Sequence, residues 1–458
     1  MNMKRVTVLN VVGLTRSVMA RMPRLKEWSK RQEVASFKPA FPAVTCTAQS
    51  SYLTGKTAGQ HGIVGNGWYD REDAEVKFWK QSNHLVKGEK VWEAAGVQCA
   101  KMFWWYNMYS SADFSATPRP LYPADGRKFF DIHTQPMEMR DQIKADLGDF
   151  PFPSFWGPKA GIGSSDWIAK SARWIEEKES PALNLVYLPH LDYGLQKYGP
   201  GAPEMIAEYK AIDEVTCDLI DFFENRGVEV LVLSEYGISK VSKPVHLNRI
   251  FREKGWIQVK DELGLETLDC GGCKAFAVAD HQVAHVYVND TSIAEEVREV
   301  VLATDGVEEI REGCELWGKG TGADRGGDFV AVSDEDAWFT YYFWKDDAKA
   351  PDFARCIDIH RKPGYDPVEL FLNPEIKLPL VKIAGFLAKK KLGFRGLMDV
   401  IPLDASLVKG SHGRDTVSQE EQPVAIGNGA GQVTSAEGVF FWIRDSLTKS
   451  LTADSTTA

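Results

Sequence analysis

Residues 6–12 read VTVLNVV, a continuous β-branched run of the kind that forms a strand covered on both faces of a parallel sheet. Two further runs share its character, ALNLVYL at 182–188 and VEVLVLS at 228–234, and each gives way to a polar turn. Helical periodicity lies between them, as in APEMIAEYKAIDEVTCDLIDFFENRG at 202–227. Strands alternating with helices predict an α/β fold with a doubly wound, mostly parallel sheet. In such sheets ligands sit beyond the carboxyl ends of the strands, so the residues just after each run carry the functional interest.

Between 246 and 345 the texture changes. AFAVA, AHVYVN and DFVAVS read as short strands, with a charged helix near 293–303, which predicts a smaller α+β insertion. The main unit is then expected to comprise residues 1–245 and 346–445, with 446–458 as a frayed tail.

The 458 residues suffice for one large α/β domain or two ordinary ones. A net charge of −10 argues against a broad nucleic-acid surface. The opening segment has too short an apolar run and no small-residue cleavage site, so it reads as a first strand and not a signal peptide. No apolar stretch reaches the roughly 18 residues of a membrane span. A cytoplasmic protein is the expectation. Seven scattered cysteines, with CGGC at 270–273 as the only close pair, do not form a disulfide framework. The aromatic clusters FWWYNMY (103–109) and AWFTYYFW (337–344) are core or the wall of a ligand pocket. The basic amphipathic stretch KIAGFLAKKKLGFRG (382–396) is a solvated helix face, or a contact with a membrane surface or partner.

FPAVTCTAQSSYLTG (41–55) places Thr45 where a loop opens into a helix, in a position suited to an anion. Its hydroxyl is either an N-cap or a nucleophile, the latter only with a base or metal to activate it. Asn66, in GQHGIVGNGWYD, offers an amide to a phosphoryl oxygen or serves a glycine turn. Asp192 and Gln196 follow the 182–188 run, Glu235 and Tyr236 follow 228–234, and His412 lies between glycines in VKGSHGRD. Carboxylates, an amide and an imidazole at successive strand ends suit a hard cation.

Taken in order, FPAVTCTAQSSYLTG…HGIVGNGWY, DYGLQKYGP, LSEYGI and GSHGRD resemble the nucleotide pyrophosphatase/type I phosphodiesterase branch of the alkaline phosphatase superfamily, from Val6 to about Asn428. The resemblance implies an alkaline phosphatase-like sheet with an insertion, and hydrolysis of small phosphoesters by a metal-bound Thr between two zinc ions. It makes Thr45 the nucleophile, Asn66 the residue holding the phosphoryl oxygen, and Asp192 and His412 ligands of one zinc. Gln196 stands where the third ligand of that zinc is a His. For the second zinc, Val12 replaces an Asp, and Glu235-Tyr236 replaces an Asp-His pair.

These exchanges trade imidazole for oxygen donors, which favours one Mg2+, Mn2+ or Ca2+ on Asp192, Glu235 and His412, or no metal, over a zinc pair. His360 and Asp366, in DIHRKPGYDP, are further candidate ligands, and Lys362 or Arg361 can replace lost positive charge. Arg119 is a candidate phosphate contact. VADHQVAH (278–285) holds an Asp-His pair and a second His, but it falls inside the insertion and reads as alternating strand, which makes it a lesser metal-site candidate. Two functions remain open: a hydrolase of phosphodiester or pyrophosphate-type small molecules working through Thr45, or a degenerate relative that binds a phosphorylated molecule or a partner.

Overall fold

A computed structural model describes residues 4–125 and 127–448. Its centre is an eight-stranded sheet in the spatial order Glu33–Ser36, Val424–Gly427, Glu229–Leu233, Val6–Val11, Leu183–Leu188, Cys99–Met102, Phe114–Pro118, Ile132–Gln135. The three runs recognised in the sequence are neighbours at its middle, with Val6 level with Leu183 on one side and Glu229 on the other, all parallel. Every residue of Val6–Val11 and Leu183–Leu188 is buried, which is why neither strand alternates apolar with polar. Two strands run against the rest, Val424–Gly427 near one side and Ile132–Gln135 at the other edge, and Glu33–Ser36 beyond Val424–Gly427 again runs with the central strands. Long helices cover the sheet, among them Ile162–Glu179 and Met205–Glu224, with their apolar faces in the core.

A second sheet is entirely antiparallel, in the order Ala275–Asp280, Val283–Val288, Phe329–Ser333, Val307–Glu312, and packs with the helix Ala294–Leu302. Residues 246–345 add no strand to the large sheet. The chain enters and leaves this segment side by side, because Lys243–Val245 pairs in parallel with Ala337–Phe339.

One expectation changes, and one choice between alternatives is settled. The helix Gly438–Thr448 buries Val439, Trp442, Ile443 and Leu447, so order extends three residues into the expected tail; positions 449–458 lie outside the described residues. The 337–344 cluster is core, since Trp338, Tyr341, Tyr342, Phe343 and Trp344 are all buried in one apolar cluster. Among the described residues no helix is long and apolar enough to cross a membrane.

Candidate active site

Thr45 is the first residue of the helix Thr45–Thr54, and the extended Val44 before it is the cap. The N-cap reading of Thr45 therefore fails by one position. Its Oγ1 instead lies 2.9 Å from the Tyr236 hydroxyl. Tyr236 in turn donates to Asp192 Oδ1 at 3.4 Å. Asp192 comes from the helix His190–Tyr198 after one central strand, and Tyr236 follows the next, so the parallel order of the sheet brings them together.

Asp192 is held from its other side by Gln196, whose Nε2 donates to Oδ2 at 2.7 Å from one helical turn away. The side-chain carbonyl oxygen of Gln196 accepts the Tyr365 hydroxyl at 2.9 Å. His412 faces Asp192 with Nε2 3.8 Å from Oδ1, while its Nδ1 donates to the Ala43 carbonyl at 2.7 Å. That bond fixes the tautomer, and Nε2 is a buried atom without a partner. Four rings stack in sequence, Tyr236 on His412 (3.6 Å between centroids), His412 on His281 (3.7 Å) and His281 on Tyr365 (3.6 Å).

Glu235 lies within hydrogen-bond reach of Thr45 but is turned chiefly onto two amides. Its Oε1 accepts from Asn10 Nδ2 at 2.6 Å and Gln49 Nε2 at 2.7 Å, and Oε2 has no partner. Gln49 lies one helical turn beyond Thr45 and also accepts the Trp105 amide at 2.8 Å. Asn66 spans two elements: Oδ1 accepts the Cys46 amide at 3.0 Å, and Nδ2 and the backbone N–H donate to the two oxygens of Asp280 at 3.0 and 2.7 Å.

Burial sets the charges. It pushes Asp192 up to about 7, against the hydrogen bonds from Gln196 and Tyr236, and Glu235 up to about 8, against those from Gln49, Asn10 and Thr45. It pushes Asp280 up to about 6, and holds His281 and His412 well below the ordinary imidazole value. Tyr236 is pushed well above the ordinary phenol value and keeps its proton near neutrality.

The donor set does not fit two zinc ions. Val12 is apolar and fully buried, Glu235 is turned onto two amides, Tyr236 keeps its proton, and Gln196 spends its carbonyl on Tyr365. The expected Asp192–Glu235–His412 trio is also not assembled. Among the described residues no three His, Cys, Asp or Glu side chains come together in a way that can hold a metal ion.

The other candidates lie apart from this network. Asp366 forms a buried ion pair with Lys362 (2.7 Å), which also meets Glu369 (2.7 Å), so this charge is neutralised within its own loop. His360 approaches the Phe78 carbonyl at 3.3 Å, and Arg361 approaches Asp358 at 3.6 Å. Arg119 is exposed and donates to Gln81 at 2.9 Å. Of the aromatic run 103–109, Phe103, Trp104 and Tyr106 are core, while Trp105 is half-buried and lies against Trp79, their rings 4.8 Å apart.

Asp280 and His281, set aside on the sequence, belong to the site. The stretch 278–285 is not one strand but a hairpin whose two-residue turn, His281–Gln282, has its tip against the main unit. The Asp280–His281 contact is 2.9 Å, and the Gln282 backbone amide donates to the His412 carbonyl at 2.7 Å. The polar triplet DHQ interrupting an apolar alternation was the available signal. Asn10, a lone amide inside a β-branched strand, and Gln49, one turn after Thr45, were legible in the same way.

The sequence model of the family "Type I phosphodiesterase / nucleotide pyrophosphatase" matches residues 6–366. The chain belongs to this family. An uncharacterised pyrophosphatase/phosphodiesterase of Schizosaccharomyces pombe is 25% identical over 217 residues, 44% of this chain and 38% of that protein. The match thus spans well under half the length of that curated relative. The fold is shared with murine ectonucleotide pyrophosphatase/phosphodiesterase 5, solved as an inactive variant in complex with AMP (TM-score 0.59, 14% identity, covering 98% of this chain and 96% of that one). Phosphonoacetate hydrolase from Sinorhizobium meliloti, in complex with phosphonoformate, is equally similar (TM-score 0.59, 15% identity, 97% and 96% covered). Family members generally use divalent metals such as zinc.

Proposed function

We propose that the chain hydrolyses small phosphodiester or pyrophosphate-type compounds with Thr45 Oγ1 as the attacking atom. The observation that carries this reading is the line Thr45–Tyr236–Asp192, with contacts of 2.9 and 3.4 Å. As Thr45 attacks phosphorus, its proton passes to the Tyr236 oxygen while the Tyr236 proton passes to Asp192, the O–P bond to Thr45 forms and the bond to the leaving oxygen breaks. That oxygen takes up, through water, the proton that Asp192 received, which restores the carboxylate. A second water then cleaves the phosphothreonine, its oxygen leaving with phosphorus and one proton returning to Thr45. The N-terminus of the Thr45 helix stabilises negative charge on the phosphoryl group. Asn66 is held by Asp280 next to this terminus and positions the Cys46 amide.

The test is a screen of nitrophenyl phosphodiesters and dinucleotides with the purified chain. Turnover is expected, with Thr45→Ser active and Thr45→Ala inactive; equal rates for wild type and Thr45→Ala would defeat the proposal. A second reading, binding of a phosphorylated molecule without turnover, is favoured by the donors missing from the second zinc position. A phosphothreonine trapped at Thr45 by rapid acid quench excludes it.

A further inference from the structure

The helix Pro379–Lys391 has no buried side chain, and the residues 392–397 after it are all exposed. Pro379, Ile383, Phe386 and Lys390, at helical spacing, are half-buried and form the side laid on the body of the protein, where Ile383 joins the cluster around Trp338 and Trp344. Away from that side, Leu380 is 65% exposed and Leu387 54%; beyond the helix Phe394 is 66% exposed. A helix of a soluble protein ordinarily turns such residues inward.

Charge singles out the same segment. From 377 to 397 it carries Lys377, Lys382, Lys389, Lys390, Lys391 and Arg395 and no acidic residue, in a chain of net charge −10; of these, Lys382 pairs with Asp399 at 2.9 Å, and the charge is densest in the run Lys389–Lys391. Lysines in the last helical turn complement the helix dipole, but that does not account for the exposed leucines and phenylalanine among them. The surface also continues onto a second segment. Lys390 Nζ donates to the Lys128 carbonyl at 3.2 Å, and beside Lys128 the rings of Tyr122 and Phe130 are 60% and 57% exposed. The Lys128 ammonium lies 5.7 and 5.8 Å from those two rings.

We infer that this face docks onto the surface of an anionic lipid bilayer. Long amine side chains interleaved with exposed aliphatic and aromatic ones match a headgroup layer: the lysines reach lipid phosphates while the rings and leucines enter the acyl boundary. An acidic protein partner would satisfy the lysines but not the apolar groups between them.

Co-sedimentation of the full chain with lipid vesicles tests this. Binding is expected to vesicles containing about 30% phosphatidylglycerol, to be near zero on pure phosphatidylcholine, and to weaken as salt rises from about 0.1 to about 0.5 M. Lys389→Glu/Lys391→Glu and, separately, Leu387→Ser/Phe394→Ser are each expected to weaken binding at least about ten-fold. Turnover of a soluble phosphodiester by these variants should be unchanged, which separates this inference from the proposed activity. Equal behaviour of wild type on the two vesicle types, insensitivity to both double substitutions, or retention on polyglutamate without vesicle binding would each overturn it.

Discussion

Tyr236 and Glu235 are adjacent in the chain and opposite in role. Tyr236 joins Thr45 to Asp192 through its hydroxyl, so Tyr236→Phe keeps the ring stack on His412 and removes only the proton path. The expected result is a fall in kcat of about 10²-fold with little change in melting temperature, read from steady-state kinetics beside a thermal melt. Glu235 is kept protonated near neutrality by burial, and its Oε1 serves as acceptor for two amides. Glu235→Gln keeps an acceptor oxygen in a neutral group, so it is expected to retain activity within a few-fold. A collapse of activity in Glu235→Gln with Tyr236→Phe intact would reverse the two assignments.

Among the elements, the approach of the short strand Gly410–Ser411 to the helix His190–Tyr198 sets the distance from His412 to Asp192. A Cβ on Gly410 would overlap the Leu195 carbonyl oxygen and lie 2.9 Å from an Ile238 methyl group. The first obstacle is backbone, so the strand itself must retreat. Gly410→Ala is expected to cost about 1–3 kcal/mol in stability and to lower activity together with it, as His412 is drawn from Asp192; denaturant unfolding and kinetics on the same preparation check both. The helix Thr45–Thr54 depends on tertiary partners in a similar way. All ten of its residues are buried, its cap has no side-chain bond, and its polar side chains are spent on Tyr236, Glu235, His61 and backbone groups.

At the scale of the whole molecule, the two sheets meet at the site. Asp280, at the end of a small-sheet strand, accepts both N–H donors of Asn66 from the main unit, and Arg414 reaches back to Glu308 and the Ser333 carbonyl. Asp280→Ala leaves Asn66 without either acceptor and His281 without its Nδ1 partner. The expected loss is about 1–3 kcal/mol for each buried group left unpaired, with turnover reduced even where the protein stays folded. Urea unfolding and a fixed-substrate assay measure the two effects, and an unchanged rate would place Asp280 outside the machinery.

The amino-acid sequence alone determined the central strands, because runs such as VTVLNVV and VEVLVLS have no polar face and must be covered on both sides. It also put Thr45, Asn66, Asp192 and His412 forward as one group, through motifs in a fixed order; the family match over residues 6–366 spans the first three of these positions and stops before His412. Tertiary structure decided what those residues bond to. Whether Glu235 faces a cation or two amides depends on Asn10 and Gln49, which lie 225 and 186 residues away in the chain. Whether an Asp-His pair is strand or hairpin tip depends on a left-handed turn at His281, φ 64°, docked onto His412. Local pattern fixes which face of an element is apolar; only packing between distant segments fixes where a polar side chain finds its partner.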